Sequence, residues 1–340
     1  MKNILLVVMS LLVLAGLYGA WNIFGPTVKA PEGKYFYIST GSNFQNVKAD
    51  LLEQDIVDGG FFFNQLVKQA DYTNNVKAGR YEITNGMSKL NLVRMLKRGK
   101  QSAVKLVINK LRTKEDLAKK IGQLFETDST EAIRFLGSND SLQKFQLDSN
   151  TAMTAVIPNT YLIYWNTSFS KIFTRLKDEE KKFWNEERRK KAAEKNMTPK
   201  QVYTIASIVE EETNKLKDKG LIASVYMNRL KKGMKLQADP TVKYAMRDFG
   251  LKRILFGHLR YPSPYNTYQQ AGLPPGPIST PSTETLDAVL DAPVTDYIFF
   301  VAKPDFNGYS NFAVTYAEHQ QNAKAYQQAL NELIEKRKAQ

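Results

Sequence analysis

The stretch TPKQVYTIASIVEEET, residues 198–213, carries a complete set of signals for the start of a helix. Thr198 is a candidate N-cap, Pro199 takes the first helical position, and Gln201 completes a capping box. Behind them, apolar residues recur at the spacing of one helix face: Val202, Ile205, Ala206, Ile208 and Val209. The sequence therefore predicts a core-facing helix that ends in three consecutive glutamates.

The three glutamates differ in their predicted direction. Glu212 follows Val209 and Ile208 by three and four residues and stacks on the apolar stripe, whereas Glu211 points mostly to water and Glu210 lies on the shoulder. Burial disfavours a carboxylate, so the pKa of Glu212 is expected to be raised, as a general acid for a glycosidic oxygen requires. The alternative is a frayed helix end, with Glu212 in solvent or paired with a lysine, and periodicity alone favours neither.

Composition sets outer bounds on the function. The 340 residues can form two domains, or one large domain with an appendage, and 43% hydrophobic content allows a sizeable core. The net charge of +14 favours an acidic polymer, anionic lipid or another polyanion. The sequence has no cysteine and only two histidines, His258 and His319, which excludes disulfides, thiolate metal sites and a His-rich zinc site. We therefore expect no metal and no cofactor.

The N-terminal segment predicts a membrane anchor. Residues 4–24 carry no charge and match the ~20 residues that a helix needs to cross a bilayer. The run exceeds the ~7–15 apolar residues of a signal peptide, so an uncleaved anchor is favoured over a cleaved leader. Lys2 places residues 1–3 in the cytoplasm. This predicts a single-pass protein of the inner (cytoplasmic) membrane whose C-terminal domain is extracytoplasmic, in the periplasm or at the outer face of the membrane. An exported domain would not meet nucleic acid.

The rest of the chain divides into a small and a large part. After a linker at 25–34, residues 35–105 read as a small α+β module, with strands in KYFYIST and AGRYEIT and helices between and after them. Ser88 is a plausible cap and Gly99 a stop for its last helix. A further strand candidate, AVKLVI (103–108), lies at the boundary with the larger part, 106–340.

Within the larger part, a helical insert is expected at about 111–200. Its end, residues 177–200, reads as one charge-dense helix with Phe183 and Trp184 as apolar contacts. Basic runs of this kind are usually a solvated face, and the aromatic residues are not interleaved with the basic ones as nucleic-acid binding requires.

Polar residues cluster after the glutamates, where a core would not need them. Asn228, Arg229, Gln237 and Asp239 surround a turn at Gly233. A proline-rich and glycine-rich loop, residues 261–282, then carries Tyr265, Asn266, Thr267 and Tyr268. A loop stiffened by proline loses little entropy when it holds ring and amide groups against a ligand, and such surfaces suit sugars.

Four motifs carry a family resemblance: ASIVEEET (206–213), VYMNRLKKGMKLQADPTVKY (225–244), YNTYQQAGLPPGPISTPS (265–282) and YIFFVAKPD (297–305). Together they resemble the endolytic murein transglycosylases, the YceG-like or MltG family of bacterial cell-wall growth. Residues 78–100 resemble the end of the family's LysM-like module. The resemblance implies an α+β protein with an N-terminal transmembrane helix, a small LysM-like α+β module and a larger mixed α/β catalytic domain with the helical insert.

The resemblance also implies roles for individual residues. The family's catalytic glutamate immediately precedes a threonine and is Glu212 here, in agreement with the spacing. Glu210 matches the other acidic position and is expected to support the cleft. With Asn228 from the polar cluster, the expected substrate-binding residues are Glu210, Asn228, Gln237, Asp239, Tyr265, Asn266 and Tyr268. One departure is Asn159, which stands where the family usually has aspartate.

The implied reaction is lytic cleavage of the bond between N-acetylmuramic acid (MurNAc) and N-acetylglucosamine (GlcNAc) in nascent peptidoglycan. It leaves 1,6-anhydro-MurNAc ends, limits strand length and needs a single carboxyl group. The alternatives are a peptidoglycan hydrolase (muramidase), with Asp239 as the second carboxylate, and a non-catalytic glycan-binding scaffold. The expected partners are peptidoglycan glycan strands, the membrane and peptidoglycan synthases, with no nucleic acid.

Overall fold

The computed structural model describes residues 2–338, which combine helices with short strands, so the α+β prediction is confirmed. The chain divides into two compact units. The first unit holds the described residues up to 106 together with 122–128 and 161–168. The second unit holds 107–121, 129–160 and the described residues from 169 onward.

The N-terminal part alternates helices and strands over its first hundred residues. Its elements are α1 (Lys2–Phe24), β1 (Tyr35–Ile38), α2 (Phe44–Glu53), α3 (Phe61–Gln69), β2 (Gly79–Glu82), α4 (Lys89–Arg98) and β3 (Val104–Ile108), with a short 3-10 helix at Glu32–Lys34. Strands β1 and β2 pair antiparallel, with Tyr35 opposite Glu82 and Ile38 opposite Gly79. Their inward side chains and the buried faces of the helices form one core.

The helix signals read from this part are confirmed. The Ser88 side chain accepts a hydrogen bond from the Asn91 N–H at 3.2 Å, which caps α4. Gly99 ends the same helix in the left-handed conformation, with φ of 67°. The description of the module as LysM-like stays a prediction.

Helix α1 is long and apolar enough to span a membrane, and it is the one such helix among residues 2–338. Its 23 residues expose apolar side chains along nearly the whole length. Its C-terminal end packs against α3 and α4 of the first unit. An anchor of this kind is therefore supported by length and composition.

The remaining elements are mainly helical. They are α5 (Lys114–Leu124), α6 (Ser129–Gly137), α7 (Asn139–Gln143), β4 (Asn159–Ile163), α8 (Phe169–Phe183), α9 (Glu186–Glu194), α10 (Pro199–Glu212), α11 (Leu216–Lys231), α12 (Asp239–Met246), α13 (Thr283–Leu290), β5 (Phe299–Ala302), β6 (Ser310–Ala313) and α14 (Tyr316–Lys338), with short 3-10 helices at Ala152–Ala155 and His258–Arg260. Strand β3 pairs with β4, and β5 pairs antiparallel with β6. The loop at 261–282 has no helix or strand, as its composition predicts.

The prediction of one charged helix over 177–200 is wrong. Helix α8 ends at Phe183 and α9 begins at Glu186. Asn185 separates them because its side chain accepts a hydrogen bond from the Arg188 N–H at 2.9 Å and so caps a new helix. Phe183 and Trp184 are buried at this break, as expected of the apolar contacts of the segment.

Helix α10 is the centre of the second unit. The predicted capping box of Thr198 and Gln201 is present. Every residue from 202 to 209 is buried, so the helix is enclosed on all sides rather than along one stripe. Two buried hydroxyls bond to backbone carbonyls of the same helix, Thr204 to Lys200 at 2.9 Å and Ser207 to Thr204 at 2.7 Å. Polar side chains can be buried here because the helix satisfies them.

Candidate active site

Glu212 is the last residue of α10, and its carboxyl group contacts α11. The Tyr226 hydroxyl donates a hydrogen bond to Glu212 Oε1 at 2.7 Å. Tyr226 is buried, and burial raises the pKa of its phenol well above the ordinary value, so it stays a donor. The contact between the helices thus fixes one oxygen of Glu212 and gives it a neutral partner.

The electrostatic environment of Glu212 favours its neutral form. Burial raises the pKa of the carboxyl group from its usual 4.5 to about 7. The Tyr226 hydrogen bond and the charge of Lys243 lower this pKa, while the negative charges of Asp239 and Glu211 raise it. A pKa near neutrality leaves Glu212 able to hold a proton and to release it.

A cavity of about 330 Å³ opens beside Glu212. It is lined by Lys110, Gly308 and residues 210–215. This volume lies within the ~300–1,000 Å³ of typical ligand pockets. The residue is partly exposed, so a ligand in the cavity can reach a carboxyl group that is otherwise enclosed by protein.

Glu210 has the opposite electrostatic character. Its Oε2 accepts hydrogen bonds from Lys219 Nζ at 3.2 Å, Ser282 Oγ at 3.0 Å and the Thr285 hydroxyl. Although burial raises the pKa of Glu210, these bonds and the Lys219 charge outweigh it, and the pKa lies below the ordinary value. Glu210 is an ionised carboxylate that joins α10, α11 and the start of α13.

The expectation that Glu211 points mostly to water is wrong. Its side chain is 15% exposed and forms ion pairs with Lys110 Nζ at 2.7 Å and Arg112 Nη2 at 3.3 Å. Two bonds between Leu111 and Thr280 hold this basic segment in place, Leu111 N–H to Thr280 Oγ1 at 2.8 Å and Thr280 N–H to the Leu111 carbonyl at 2.7 Å. Partners distant in sequence therefore bury Glu211.

Asp239 and Tyr268 form a second polar group beside Glu212. The Tyr268 hydroxyl donates to Asp239 Oδ1 at 2.7 Å, and both residues influence the electrostatics of the site. Burial raises the pKa of Tyr268, which keeps this hydroxyl a donor. Asp239 is exposed at the start of α12, so a ligand can reach its carboxyl group.

Buried Thr267 joins the segment before α12 to the proline-rich loop. Its carbonyl accepts from the Gln237 N–H at 3.1 Å, and its hydroxyl accepts from the Ala238 N–H at 3.0 Å and lies 2.8 Å from Thr241 Oγ1. Gln237 adopts the left-handed region, with φ of 53°, which turns the chain into the helix that carries Asp239. Gln237 itself is exposed.

Three further predicted residues have structural partners. Asn266 is fully buried and donates to the Leu259 and Tyr261 carbonyls at 3.1 and 2.8 Å. The Asn228 amide donates to the carbonyls of Thr295 and Tyr297 at 2.7 and 2.9 Å. Tyr265 packs against Tyr244, with ring centroids 4.7 Å apart. Substrate binding by these three residues stays a prediction.

The sequence reading missed Tyr226 and the role of Arg229. Arg229 is buried and donates to the Ile298 and Leu236 carbonyls, both at 2.7 Å, which ties α11 to the residues beside β5 and α12. Ile222, Tyr226 and Arg229 follow the i, i+4, i+7 spacing of one helix face, and this signal identifies Tyr226 as inward-facing. Among residues 2–338, no group of three or more side chains could hold a metal ion.

Comparisons with known proteins identify the family of this chain. The model of the YceG-like family matches residues 36–325. A Bacillus subtilis protein named endolytic murein transglycosylase is 29% identical over 87% of this chain and 85% of its own length. A Streptococcus pneumoniae protein of the same name is 26% identical over 87% of this chain, which spans 60% of that longer protein.

A solved structure is similar as well. The crystal structure of a YceG-like protein from Listeria monocytogenes is 28% identical, covers 84% of this chain and 98% of its own, and gives a TM-score of 0.52. The family match extends over most of the chain and includes the glutamates of α10, the segment around Asp239 and the proline-rich loop. The chain is therefore a member of the YceG-like family.

Proposed function

We propose that this protein is a membrane-anchored endolytic lytic transglycosylase that cleaves the MurNAc–GlcNAc bond of peptidoglycan strands. The observation that carries the proposal is the placement of Glu212, which lines a cavity and accepts a hydrogen bond from buried Tyr226, in surroundings that raise the pKa of its carboxyl group. The names of the Bacillus and Streptococcus relatives support the same substrate and reaction class.

In this proposal the two oxygens of Glu212 have different tasks. Because Tyr226 donates to Oε1, the proton of the neutral acid is carried by Oε2. Oε2 gives this proton to the glycosidic oxygen as the bond from MurNAc C1 to that oxygen breaks. The GlcNAc hydroxyl leaves, and Glu212 becomes a carboxylate.

The second half of the reaction restores the acid. Glu212 Oε2 accepts the proton of the MurNAc 6-hydroxyl while O6 forms a bond to C1. The product is a 1,6-anhydro end, and no water is consumed. Tyr226 stabilises the carboxylate between the two proton transfers, since its hydrogen bond favours the ionised form.

A hydrolase is the second candidate, and Asp239 is the observation in its favour. The charge of Asp239 acts on Glu212, and retaining or inverting glycosidases use a carboxylate pair. In an inverting hydrolase a water molecule, rather than O6, attacks C1. In a retaining hydrolase the second carboxylate attacks C1, and water then hydrolyses the glycosyl-enzyme intermediate. The scaffold alternative has no carboxyl chemistry at all.

Product analysis tests the proposal. Purified glycan strands are digested with the full chain, and the new ends are identified by mass spectrometry, with Glu212→Gln as the matched inactive control. Internal cleavage that yields 1,6-anhydro ends, one water lighter than reducing ends, is the expected result. Reducing ends would show that the protein is a hydrolase. Absence of cleavage with retained glycan binding would show that it is a scaffold.

The proposal extends to location and partners. Helix α1 would cross the inner membrane once, with residues 1–3 in the cytoplasm and the catalytic domain outside, where only strands near the bilayer are in reach. Cutting there limits the length of nascent strands and places peptidoglycan synthases among the expected partners. The net charge of +14 suits both the carboxylates of stem peptides and anionic lipid.

A further inference from the structure

The outer end of α1 carries a group of exposed aromatic side chains. Tyr18, Trp21 and Phe24 are each more than 60% exposed. Aromatic residues at the end of a spanning helix lie at the level of the lipid headgroups. Within the first unit, this aromatic group contacts aromatic residues at the start of α3.

The start of α3 lies directly beside α1. The Phe62 ring contacts the Tyr18 ring edge-on, with centroids 5.9 Å apart. Gly19 permits this approach, since a Cβ there would lie 3.3 Å from the Phe62 ring. Phe61 contacts Phe62 and is 68% exposed, so the aromatic surface passes from the helix to the module without a break.

The position along α1 sets the depth of these rings. Gly19 precedes Phe24, the last apolar residue of the helix, by five residues. At 1.5 Å per residue, Phe62 therefore lies about 7 Å inside the end of the apolar helix. Interfacial segments insert to about 5–10 Å into the boundary of headgroups and acyl chains.

The backbone of the turn that leads into α3, residues 59–62, is suited to apolar surroundings. The Gly60 N–H donates to Asp58 Oδ1 at 3.1 Å. The Asn64 amide donates to the carbonyls of Gly59 and Gly60, at 3.0 and 3.1 Å. Polar backbone groups in contact with lipid must be satisfied within the protein, and these three are.

A charge pair between buried Lys89 and exposed Asp58 fixes the start of the turn relative to the helix. Lys89 is 1% exposed, and its Nζ donates to Asp58 Oδ2 at 2.9 Å and to Asn22 Oδ1 at 3.2 Å. Asn22 belongs to α1, Asp58 immediately precedes the turn, and Lys89 belongs to α4. The three residues join the end of the anchor to the module independently of the linker at 25–34.

We propose that the turn Gly59–Phe62 is a second membrane contact, in which Phe61 and Phe62 insert into the outer leaflet of the bilayer that holds α1. The proposal rests on the single-pass anchor of the proposed function and on the placement of the turn beside Gly19. Two contacts fix the orientation of the module against the bilayer, whereas α1 alone would let the helix and the module tilt and rotate together.

The absence of cysteine allows a direct test. Three single-cysteine variants of the full chain, Phe61→Cys, Ala49→Cys and Leu12→Cys, are labelled with a nitroxide and reconstituted in vesicles of phosphatidylethanolamine and phosphatidylglycerol. Ala49 is the matched control, an exposed residue of α2 in the same unit. Electron paramagnetic resonance then measures access of oxygen, which concentrates in lipid, and of a water-soluble nickel chelate.

The expected result is several-fold lower nickel access and higher oxygen access at residue 61 than at residue 49, with residue 12 deeper still. Equal nickel access at 61 and 49 with residue 12 buried would overturn the second contact alone and assign exposed Phe61 to a protein partner. A water-accessible label at residue 12 would overturn the anchor itself. Phe61 is exposed, so its replacement removes no core packing.

Discussion

Glu210 and Glu212 lie two residues apart at the end of α10 and occupy opposite environments. Glu210 faces Lys219 and two hydroxyl donors, and its pKa lies below the ordinary value. Glu212 faces the phenol of Tyr226, and burial raises its pKa to about 7. A buried carboxyl with a cationic partner holds elements together, whereas one with a neutral partner keeps a proton that chemistry can use.

The largest expected effect is on catalysis at Glu212. Replacing Glu212 with Gln removes the transferable proton and keeps a group that accepts from Tyr226, so cleavage of glycan strands should fall by about a thousandfold. Glu284→Gln is the control, because Glu284 is an exposed residue of α13 and does not line the cavity beside Glu212. Release of muropeptides by both variants, with circular dichroism as the folding check, measures the difference. Residual activity within tenfold of the wild type would contradict the assignment.

The next effect is on stability at Glu210. Glu210→Gln leaves buried Lys219 without its charge partner and should lower the free energy of unfolding by about 3 kcal/mol. Urea unfolding of a variant chain without α1 measures this loss of free energy. The double variant Glu210→Gln, Lys219→Met should recover most of the loss. A variant that loses activity without losing stability would mean that Glu210 acts on substrate, as the family motif predicts, rather than on packing.

The third effect is at Tyr226, the neutral partner of Glu212, and Tyr226→Phe tests it. The Tyr226 hydrogen bond lowers the pKa of Glu212, so its loss should raise that pKa above about 7. Activity should fall by about tenfold, because the carboxylate formed in the reaction loses its donor. The decline of kcat/KM at high pH should move to higher pH in the same variant. A lower rate with an unchanged profile would show a packing defect instead.

The smallest effect is expected at Asp239. Its negative charge raises the pKa of Glu212, so Asp239→Asn should lower that pKa and move the high-pH decline of kcat/KM to lower pH by less than about one unit. Tyr268 keeps its acceptor in the variant. Reaction rates at pH 5 to 9 measure the shift. A loss of activity of a hundredfold or more would instead favour the hydrolase, with Asp239 as the second carboxylate.

Local signals in the sequence were sufficient for the helices that carry the site. Thr198, Gln201, Ser88 and Gly99 act through neighbours within a few residues, so their roles can be read directly from the chain. The direction of Glu212 follows in the same way from the apolar stripe of its own helix. Asn185 shows the limit, since its cap divides a charged run that composition alone reads as one helix.

The features that could not be predicted from the sequence depend on partners distant in the chain. Glu211 is buried by Lys110 and Arg112, about a hundred residues earlier in the chain, and periodicity within α10 carries no information about them. Tyr226 reaches Glu212 from a different helix. The complete burial of α10 likewise depends on the elements packed around it, which turn a predicted stripe into an enclosed helix.

The most direct test is to titrate Glu212 itself. Carbon-13 NMR of the glutamate side-chain carboxyl groups, with Glu212→Gln to assign the signal, follows its chemical shift from pH 3 to 9. We predict a titration midpoint for Glu212 of about 7, above the usual 4.5, because burial and the neighbouring negative charges oppose ionisation. A midpoint at or below 4.5 would mean a carboxylate without a proton to give at neutral pH, and would contradict the proposed chemistry.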